Sequence, residues 1–176
     1  MPNSKMWAYD INQAAQDACT ELAKKNNVSE RIEIGALFGP EDFTQFANKK
    51  TLVMCDIEGA EQELLDPQLA PDLAGMDIIV ESHECIIKGL TQTLIDRFSV
   101  THKITLIQDK GQRQFEVLPK DYENWANLDQ LVATWEWRSG PTPWIVMKSK
   151  LFQADLAIAQ TDPKFKSKFK ESSKKS

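Results

Sequence analysis

The chain has 176 residues, of which 41% are hydrophobic, and its 26 acidic and 21 basic side chains give a net charge of −5. This length and composition suit a single globular domain and exclude collagen, coiled coils and wholly disordered chains. No apolar run approaches the roughly 18 residues of a membrane span, and no apolar segment follows residues 1–5 as a signal peptide requires. The sequence therefore predicts a cytoplasmic protein without a membrane span.

Charge is distributed unevenly along the chain. Residues 164–176 carry a net charge of +5, so residues 1–163 carry −10. An acidic body argues against a nucleic-acid-binding protein, which would present a basic face. We place the domain in residues 1–150 and interpret residues 151–176 as a C-terminal extension with a disordered basic tail. Contact of this tail with RNA or anionic lipid remains the alternative.

The three cysteines, Cys19, Cys55 and Cys85, lie far apart in the sequence. Their odd number and wide spacing fit neither a disulfide framework nor paired metal ligands. We interpret all three as small buried hydrophobic residues.

The first part of the chain alternates strand-like and helix-like segments. Residues 5–10 form a short apolar run that predicts a strand, and Asn12 is suited to cap the helix that follows it. A second strand is expected at residues 31–35, a brief helical piece at 41–47 and a third strand at 51–56. The apolar face of the first helix consists of Ala15, Ala18, Cys19, Leu22 and Ala23.

The same alternation continues to the end of the domain. Strands that alternate with helices predict an α/β fold with a mostly parallel sheet. The expected elements are a helix at about 59–65, a strand at 76–81, a helical face from Leu90 to Phe98, a strand at 102–108, a helix at 122–134 and a last strand at 144–148.

Acidic residues follow three of these strands. Asp10 ends the first strand, Asp56 and Glu58 follow the third, and Glu81 and His83 follow the fourth. Ligands of such sheets bind outside the carboxyl ends of the strands, so these residues are the first candidates for a site. The carboxylate of Asp10 is suited to accept hydrogen bonds from ribose hydroxyls, or it merely caps the next helix.

The segment from Asp56 to Glu61 places three carboxylates within six residues. The structural explanation is that acids stabilise the positive N-terminal end of a helix, and it accounts for one or two of the three carboxylates. Gly59 would allow a turn or the close approach of a ligand.

A carboxylate and an imidazole come together in the segment that ends the fourth strand. Glu81 and His83 are suited to act as a general base and its partner, or to hold a hard divalent cation together with Asp56. The segment lacks the second histidine of the zinc-protease H-E-x-x-H motif. His102, at the start of a strand on the opposite edge, is interpreted as structural.

Five segments in this order carry a resemblance to a known family. They are WAYDIN, RIEIGALFG, LVMCDIEGAEQELLD, MDIIVESHE and WEWRSGPTPWIVMK. The succession resembles the S-adenosylmethionine-dependent methyltransferases of the Rossmann-like class, and DIEGAE followed by an IIVESH strand is similar to the FkbM-type family. The resemblance spans residues 5–150, and its most specific element is DIEGAE.

The resemblance implies a Rossmann-like sheet with an antiparallel last strand, S-adenosylmethionine as cofactor, and methyl transfer to a small-molecule or sugar acceptor. It implies that Asp10 binds the cofactor ribose, that Ile11 belongs to the cofactor site, and that Gly35 and Ala36 border the adenine. Asp56 would lie beside the methyl donor and the acceptor. By the same resemblance the acceptor side is lined by Glu58, Glu81 and His83, and the residues implied in catalysis are Asp56, Glu58 and His83, with no metal assigned.

The sequence departs from this family at its beginning. The family's first strand and its glycine-rich cofactor loop, which normally precede WAYDIN, do not occur in the chain. In the family that strand lies in the middle of the sheet, so its loss would leave backbone unpaired on two neighbours. We therefore expect an N-terminally truncated methyltransferase. The alternatives are a rearranged sheet that closes the gap, or a homo-oligomer whose partner covers the missing strand.

Two further functions stay open on the sequence alone. A non-catalytic remnant or interaction domain would keep the sheet without binding cofactor. A metal-dependent hydrolase would use Asp56, Glu58, Glu81 and His83.

Overall fold

The computed structural model describes residues 4–47, 49–109, 119–134 and 139–151. The chain divides into two compact units, residues 1–42 and residues 43–176. Within the described ranges, no helix has the length and apolar character needed to cross a membrane. The expected basic tail lies outside the described residues.

The first unit is a strand, a helix and a second strand. Strand β1, Met6–Tyr9, pairs in parallel with strand β2, Ile32–Gly35, and helix α1, Gln13–Lys25, connects them. The side chain of Asn12 accepts a hydrogen bond from the backbone N–H of Ala14, so Asn12 caps the helix as the sequence predicts. All three elements were expected at these positions.

The second unit contains the remaining helices and strands. Four short 3-10 turns also occur in the described chain, at Ser29–Arg31, Pro40–Phe46, Pro71–Gly75 and Tyr122–Asn124. The regular elements of the second unit are β3 Leu52–Cys55, α2 Glu61–Leu64, β4 Asp77–Glu81, α3 Leu90–Phe98, β5 His102–Ile107, α4 Asn127–Thr134 and β6 Trp144–Ser149.

The four strands of the second unit form one sheet in the order β3-β4-β6-β5. Strand β4 is parallel to β3, whereas β6 is antiparallel to both β4 and β5. Strands β3, β4 and β5 therefore run in one direction and the last strand runs in the other. This confirms the α/β fold with a mostly parallel sheet and an antiparallel last strand. The described strands form two hydrogen-bonded sheets, one in each unit.

Two helices differ from the sequence prediction. The expected helix at 122–134 is divided, because Trp125 adopts an extended backbone between the 3-10 turn and α4. The expected helix at 59–65 is only the four residues of α2, because Glu58 and Gly59 have left-handed φ angles of 53° and 104° that a helix cannot continue through.

The cysteine prediction holds for one residue of three. Cys55 is buried, but Cys19 and Cys85 are half-buried, and all three are free thiols. Helix α1 packs on β2 of a sheet with two described strands, and it buries little of its apolar face. Ala23 is its one fully buried side chain, and Leu22 is 62% exposed.

The core of the second unit lies around the central strands β4 and β6. Inward-facing side chains alternate along both strands, as expected of a sheet with helices packed on it. The backbone N–H of Ser149, at the end of β6, donates to the carboxylate of Asp77 at 2.9 Å, which joins the end of one central strand to the start of the other. The buried core residues are Ile78, Val80, Leu90, Leu94, Phe98, Ile145 and Met147.

His102 is a structural residue at the start of β5. Its side chain is 1% exposed, and its ring packs edge-on against Phe98 with 5.1 Å between the centroids. Nε2 lies 2.8 Å from the carbonyl oxygen of Met76, which can only accept, so Nε2 carries the proton and donates it. Burial lowers the pKa of His102 below its usual 6.5, so the ring is neutral in the core at neutral pH.

Candidate functional site

Asp10 continues the pairing of the first unit beyond the end of β1. Its backbone N–H donates to the carbonyl oxygen of Gly35 at 3.1 Å, and its side chain is exposed. Carboxylate oxygen Oδ1 accepts the backbone N–H of Asn12 at 2.8 Å. Asp10 therefore supports the start of α1, which is the capping role that the sequence left open. This contact occupies only one of its two carboxylate oxygens.

The other residues that the sequence assigned to the cofactor lie at the same end of these two strands. Gly35 is paired with Tyr9, whose ring lies over it, and a Cβ at Gly35 would stand 2.5 Å from the Tyr9 ring. The packing of Tyr9 alone is thus sufficient reason for a glycine at this position. Ala36 is exposed and Ile11 is 81% exposed, so both are accessible to a ligand.

In the second unit, a tight turn connects β3 to α2. The left-handed backbone of Glu58 and Gly59 reverses the chain directly after Asp56 and Ile57. A Cβ at Gly59 would lie 3.0 Å from the side chain of Ile86, so the turn is both strained for an L-residue and closely packed. The turn leaves Glu58 exposed and directs Glu61 into the core.

Helix α2 is held in place at its C-terminal end by Arg97 of α3. The Arg97 guanidinium donates to the carbonyl oxygens of Gln62 and Leu65, at 2.5 and 3.2 Å, and forms a salt bridge of 3.0 Å with Asp66. These carbonyls are among those that a helix end leaves without partners. The clamp fixes a helix of only four residues and, with it, the position of Glu61.

The backbone of His83 is fixed by the turn that follows β4. Its carbonyl oxygen accepts the N–H groups of Ile86 and Ile87 at 2.8 and 2.9 Å. The preceding residue, Ser82, donates its N–H to the carbonyl oxygen of Pro143 at 2.8 Å. The imidazole is therefore placed by a backbone with little freedom, as a functional side chain requires.

Four carboxylates surround this imidazole, and we call the five side chains Asp56, Glu58, Glu61, Glu81 and His83 the His83 cluster. Nδ1 of His83 contacts the carboxylate of Glu61. Nε2 lies 3.6 Å from Oδ1 of Asp56 and 3.2 Å from Oε2 of Glu58. One nitrogen thus faces the core and the other faces the two acids of the turn.

Burial divides the cluster into an inner and an outer part. His83 and Glu61 are completely buried, and Glu81 is 4% exposed. The side chains of Asp56 and Glu58 are 46% and 71% exposed. The cluster therefore reaches from the core to solvent across the imidazole, which suits either proton transfer or the binding of a cation from outside.

The structure brings together the residues that the sequence placed after β3 and β4. Asp56, Glu81 and His83 each offer one ligand atom, and these three atoms lie within 4.8 Å of one another. Glu61 was not among the candidate residues. Its spacing of four from the buried Leu65 was a signal for burial, but an acid in the first turn of a helix is normally a surface residue.

Cys55 ends β3 directly beside the cluster but has no nucleophilic role. Burial, followed by the charges of Glu61 and Asp56, raises the pKa of its thiol to about 12. The thiol therefore stays protonated at neutral pH, and a thiol is a poor nucleophile compared with a thiolate.

No protein-family model matches the sequence, and no curated protein matches it. Among solved structures, the chain is similar to a precorrin-6Y C5,15-methyltransferase from Geobacter metallireducens, with 13% identity and a TM-score of 0.47, over 85% of this chain and 69% of that one. It is similar to a precorrin-8W decarboxylase from Methanobacterium thermoautotrophicum, with 13% identity and a TM-score of 0.46, over 81% and 68%. It is also similar to an S-adenosylmethionine-dependent O-methyltransferase from Thermotoga maritima, with 11% identity and a TM-score of 0.44, over 82% of this chain and 50% of that one. Likeness at these values assigns neither a family nor an activity to this chain.

Proposed function

We propose that the chain is a methyltransferase of the FkbM type, which binds S-adenosylmethionine and methylates an oxygen or nitrogen of a small molecule or sugar. The observation that carries the proposal is the sheet of the second unit, whose last strand is antiparallel as the resemblance in sequence implies. The DIEGAE segment of that resemblance begins directly after β3, where this fold places functional residues.

In this proposal the first unit binds the cofactor. Asp10 accepts hydrogen bonds from the two hydroxyls of the ribose, Ile11 belongs to the same cofactor site, and Gly35 and Ala36 border the adenine. The residues fit this role because Asp10 is exposed and its contact with Asn12 holds the carboxylate in one orientation. A carboxylate held in advance loses less conformational entropy when a ligand binds.

The second unit supplies the groups for the acceptor. When bound, S-adenosylmethionine supplies a methyl group on a positively charged sulfur. The acceptor must lose a proton as it is methylated, and Asp56, Glu58 and His83 are the groups proposed to take it. His83 is suited to this because Glu61 contacts Nδ1, which leaves Nε2 directed at the exposed acids Asp56 and Glu58.

Calorimetric titration of the 176-residue chain with S-adenosylhomocysteine tests the proposal. We expect saturable binding at one site, and weaker binding by the Asp10→Asn variant because an amide is a poorer acceptor for two hydroxyls than a carboxylate. The amide oxygen can still accept the N–H of Asn12, so the start of α1 is retained. Asp17→Asn is the matched control, since Asp17 is an exposed acid of α1 in the same unit.

Two results would contradict the proposal. One is no binding by the intact chain, which would favour the non-catalytic remnant. The other is equal binding by the Asp10→Asn and Asp17→Asn variants, which would place any bound ligand elsewhere.

A further inference from the structure

We propose that Asp56, Glu81 and His83 form a binding site for one divalent cation of the Mn²⁺ class, with Glu61 as the residue that orients His83. This site lies wholly within the second unit. It follows from the geometry of the cluster, and it goes beyond the methyl transfer proposed above.

The distances among the three ligand atoms suit a single cation. At bond lengths of about 2.1 Å, ligand atoms around one octahedral cation lie about 3.0 Å apart when adjacent and about 4.2 Å apart when opposite. The three atoms offered by Asp56, Glu81 and His83 lie within 4.8 Å of one another. The Asp56 side chain is 46% exposed, so it is free to move the few tenths of an ångström that remain.

The donor set selects a class of cation. Carboxylate oxygens suit Mg²⁺, Ca²⁺ and Mn²⁺, whereas imidazole nitrogen suits Zn²⁺, Fe²⁺ and their neighbours. Two carboxylates with one imidazole favour a divalent transition-metal ion such as Mn²⁺, which accepts both kinds of donor. Oε2 of Glu58 lies 3.2 Å from Nε2 of His83, and the Glu58 side chain is 71% exposed. Glu58 is therefore placed to become a further ligand or to move aside.

Glu61 provides an independent observation that points to a cation. One of its oxygens contacts Nδ1 of His83, while the other, Oε2, is buried and has no hydrogen-bond partner in the described structure. A buried carboxylate oxygen without a partner is costly. A carboxylate behind the histidine is the usual second partner of a metal-bound imidazole, because it holds the proton on one nitrogen and presents the lone pair of the other.

The carboxylates around His83 also favour the binding of a cation. In the described residues, the salt bridges of Asp56, Glu58 and Glu61 all go to His83. A neutral imidazole, which is the form that can bind a metal through Nε2, brings no positive charge to these three carboxylates. A divalent cation on Nε2 would offset the negative charge that the imidazole alone leaves.

A cation on Nε2 would occupy the nitrogen that His83 would otherwise use as a base, and it would leave Glu58 to take the proton in the proposed reaction. The cation would polarise an acceptor hydroxyl and lower the pKa of that group, which is a common use of a bound metal. This consequence rests on the proposed function, whereas the binding of the cation does not.

Titration of the full chain with Mn²⁺, followed by the loss of the free-ion signal in electron paramagnetic resonance, tests the site at neutral pH. We expect one equivalent to bind and Asp56→Asn to weaken binding by at least about tenfold, since losing even a group that only supports a metal ligand costs about 10- to 100-fold. Asp56 is partly exposed, so this variant is expected to fold. Glu63→Gln, an exposed acid of α2, is the matched control and should bind like the wild type.

The chain's two histidines allow a second, direct readout. On addition of Zn²⁺, the imidazole nitrogen resonances of His83 should shift while those of His102 stay unchanged, because His102 is buried against Met76. Several weak sites that respond equally to Asp56→Asn and Glu63→Gln, or an unshifted His83, would overturn the proposal. Failure here with intact S-adenosylhomocysteine binding would reject the cation site alone, and the reverse result would reject the methyltransferase alone.

Discussion

The carboxylate of Glu61 contacts Nδ1 of His83 across 22 residues of sequence, and both side chains are completely buried. A carboxylate accepts hydrogen bonds and does not donate them when it is ionised, so this contact keeps a proton on Nδ1. The state of the outward nitrogen, Nε2, is therefore set from inside the core.

The first prediction concerns this proton. In the wild type, neutral His83 should carry its proton on Nδ1, whereas in Glu61→Gln both tautomers should be populated, because an amide can accept or donate. Nitrogen chemical shifts of the imidazole distinguish the two tautomers. An unchanged Nδ1–H tautomer in the variant would show that Glu61 does not set it, and His102 in the same spectra is the internal control.

The same substitution should also affect stability. A charge-assisted hydrogen bond in the core is replaced by a neutral one, and the new amide N–H groups lack an acceptor, so we expect a loss of about 1–3 kcal/mol in the free energy of unfolding. Urea denaturation of Glu61→Gln beside Glu63→Gln measures this difference. Equal midpoints for the two variants would contradict the buried contact.

The second prediction concerns the N-terminus of α3, which Glu84 caps from the preceding turn. Its carboxylate accepts the backbone N–H groups of Gly89 and Thr91 at 2.5 and 2.9 Å. The bonds from Thr91 and then Gly89 lower the pKa of Glu84 below its usual 4.5. Glu84→Gln should therefore cost about 1 kcal/mol at neutral pH, the usual value of a helix cap.

The pH dependence of this cost follows from the lowered pKa. The carboxylate is ionised to lower pH in the folded chain than in the unfolded one, so its stabilisation is complete above about pH 5.5 and is lost as the pH falls through the folded pKa. The difference in unfolding free energy between wild type and Glu84→Gln should shrink below pH 4.5. A difference that stays constant down to about pH 3 would contradict this assignment.

The third prediction uses the buried His102. Its folded pKa lies below the usual 6.5, so the unfolded chain binds the proton more readily, and stability falls as the pH drops from about 6.5 through the folded pKa. His102→Gln should cost about 1 kcal/mol at about pH 7.5 for the altered hydrogen bond to Met76, and should remove part of that acid-induced loss. Parallel pH profiles for wild type and variant would show that His102 does not titrate on unfolding.

The fourth prediction concerns the turn after Asp56. Gly59→Ala must keep a φ of 104° and place a Cβ 3.0 Å from Ile86, so we expect a loss of about 1–3 kcal/mol. Gly75→Ala is the matched control, because a Cβ at Gly75 would have no neighbouring atom within 4 Å and the backbone there has no left-handed φ. Urea denaturation of both variants checks the contrast, and equal losses would refute it.

Local patterns predicted the elements of the fold well. Asn12 capped α1 as expected, and the acids after β3 and β4 met because adjacent parallel strands end at the same edge of a sheet. These are relationships of residues close in sequence, or of whole strands. The roles assigned to Asp10 and His83 remain predictions.

Other features depend on contacts that no local pattern contains. The left-handed backbone of Glu58 is unusual for a residue with a side chain. Together with the left-handed Gly59, it delays the start of α2, which was expected at about residue 59 and begins at Glu61. Glu61 is buried in contact with His83, which lies on another segment, and Arg97 of α3 holds the C-terminal end of α2, the helix that carries Glu61. The position of β6 between β4 and β5 likewise depends on pairing between strands that are distant in the sequence.

The position of β6 has a consequence for how the chain is made. Strands β4 and β5 each pair with β6 and not with each other, so neither has this partner until residues 144–149 have left the ribosome. During that interval β4 and β5 each lack the hydrogen bonds that β6 supplies. Of the described strands, the last in chain order is thus one that joins the interior of the sheet, so we expect the sheet to be completed only after β6 is available.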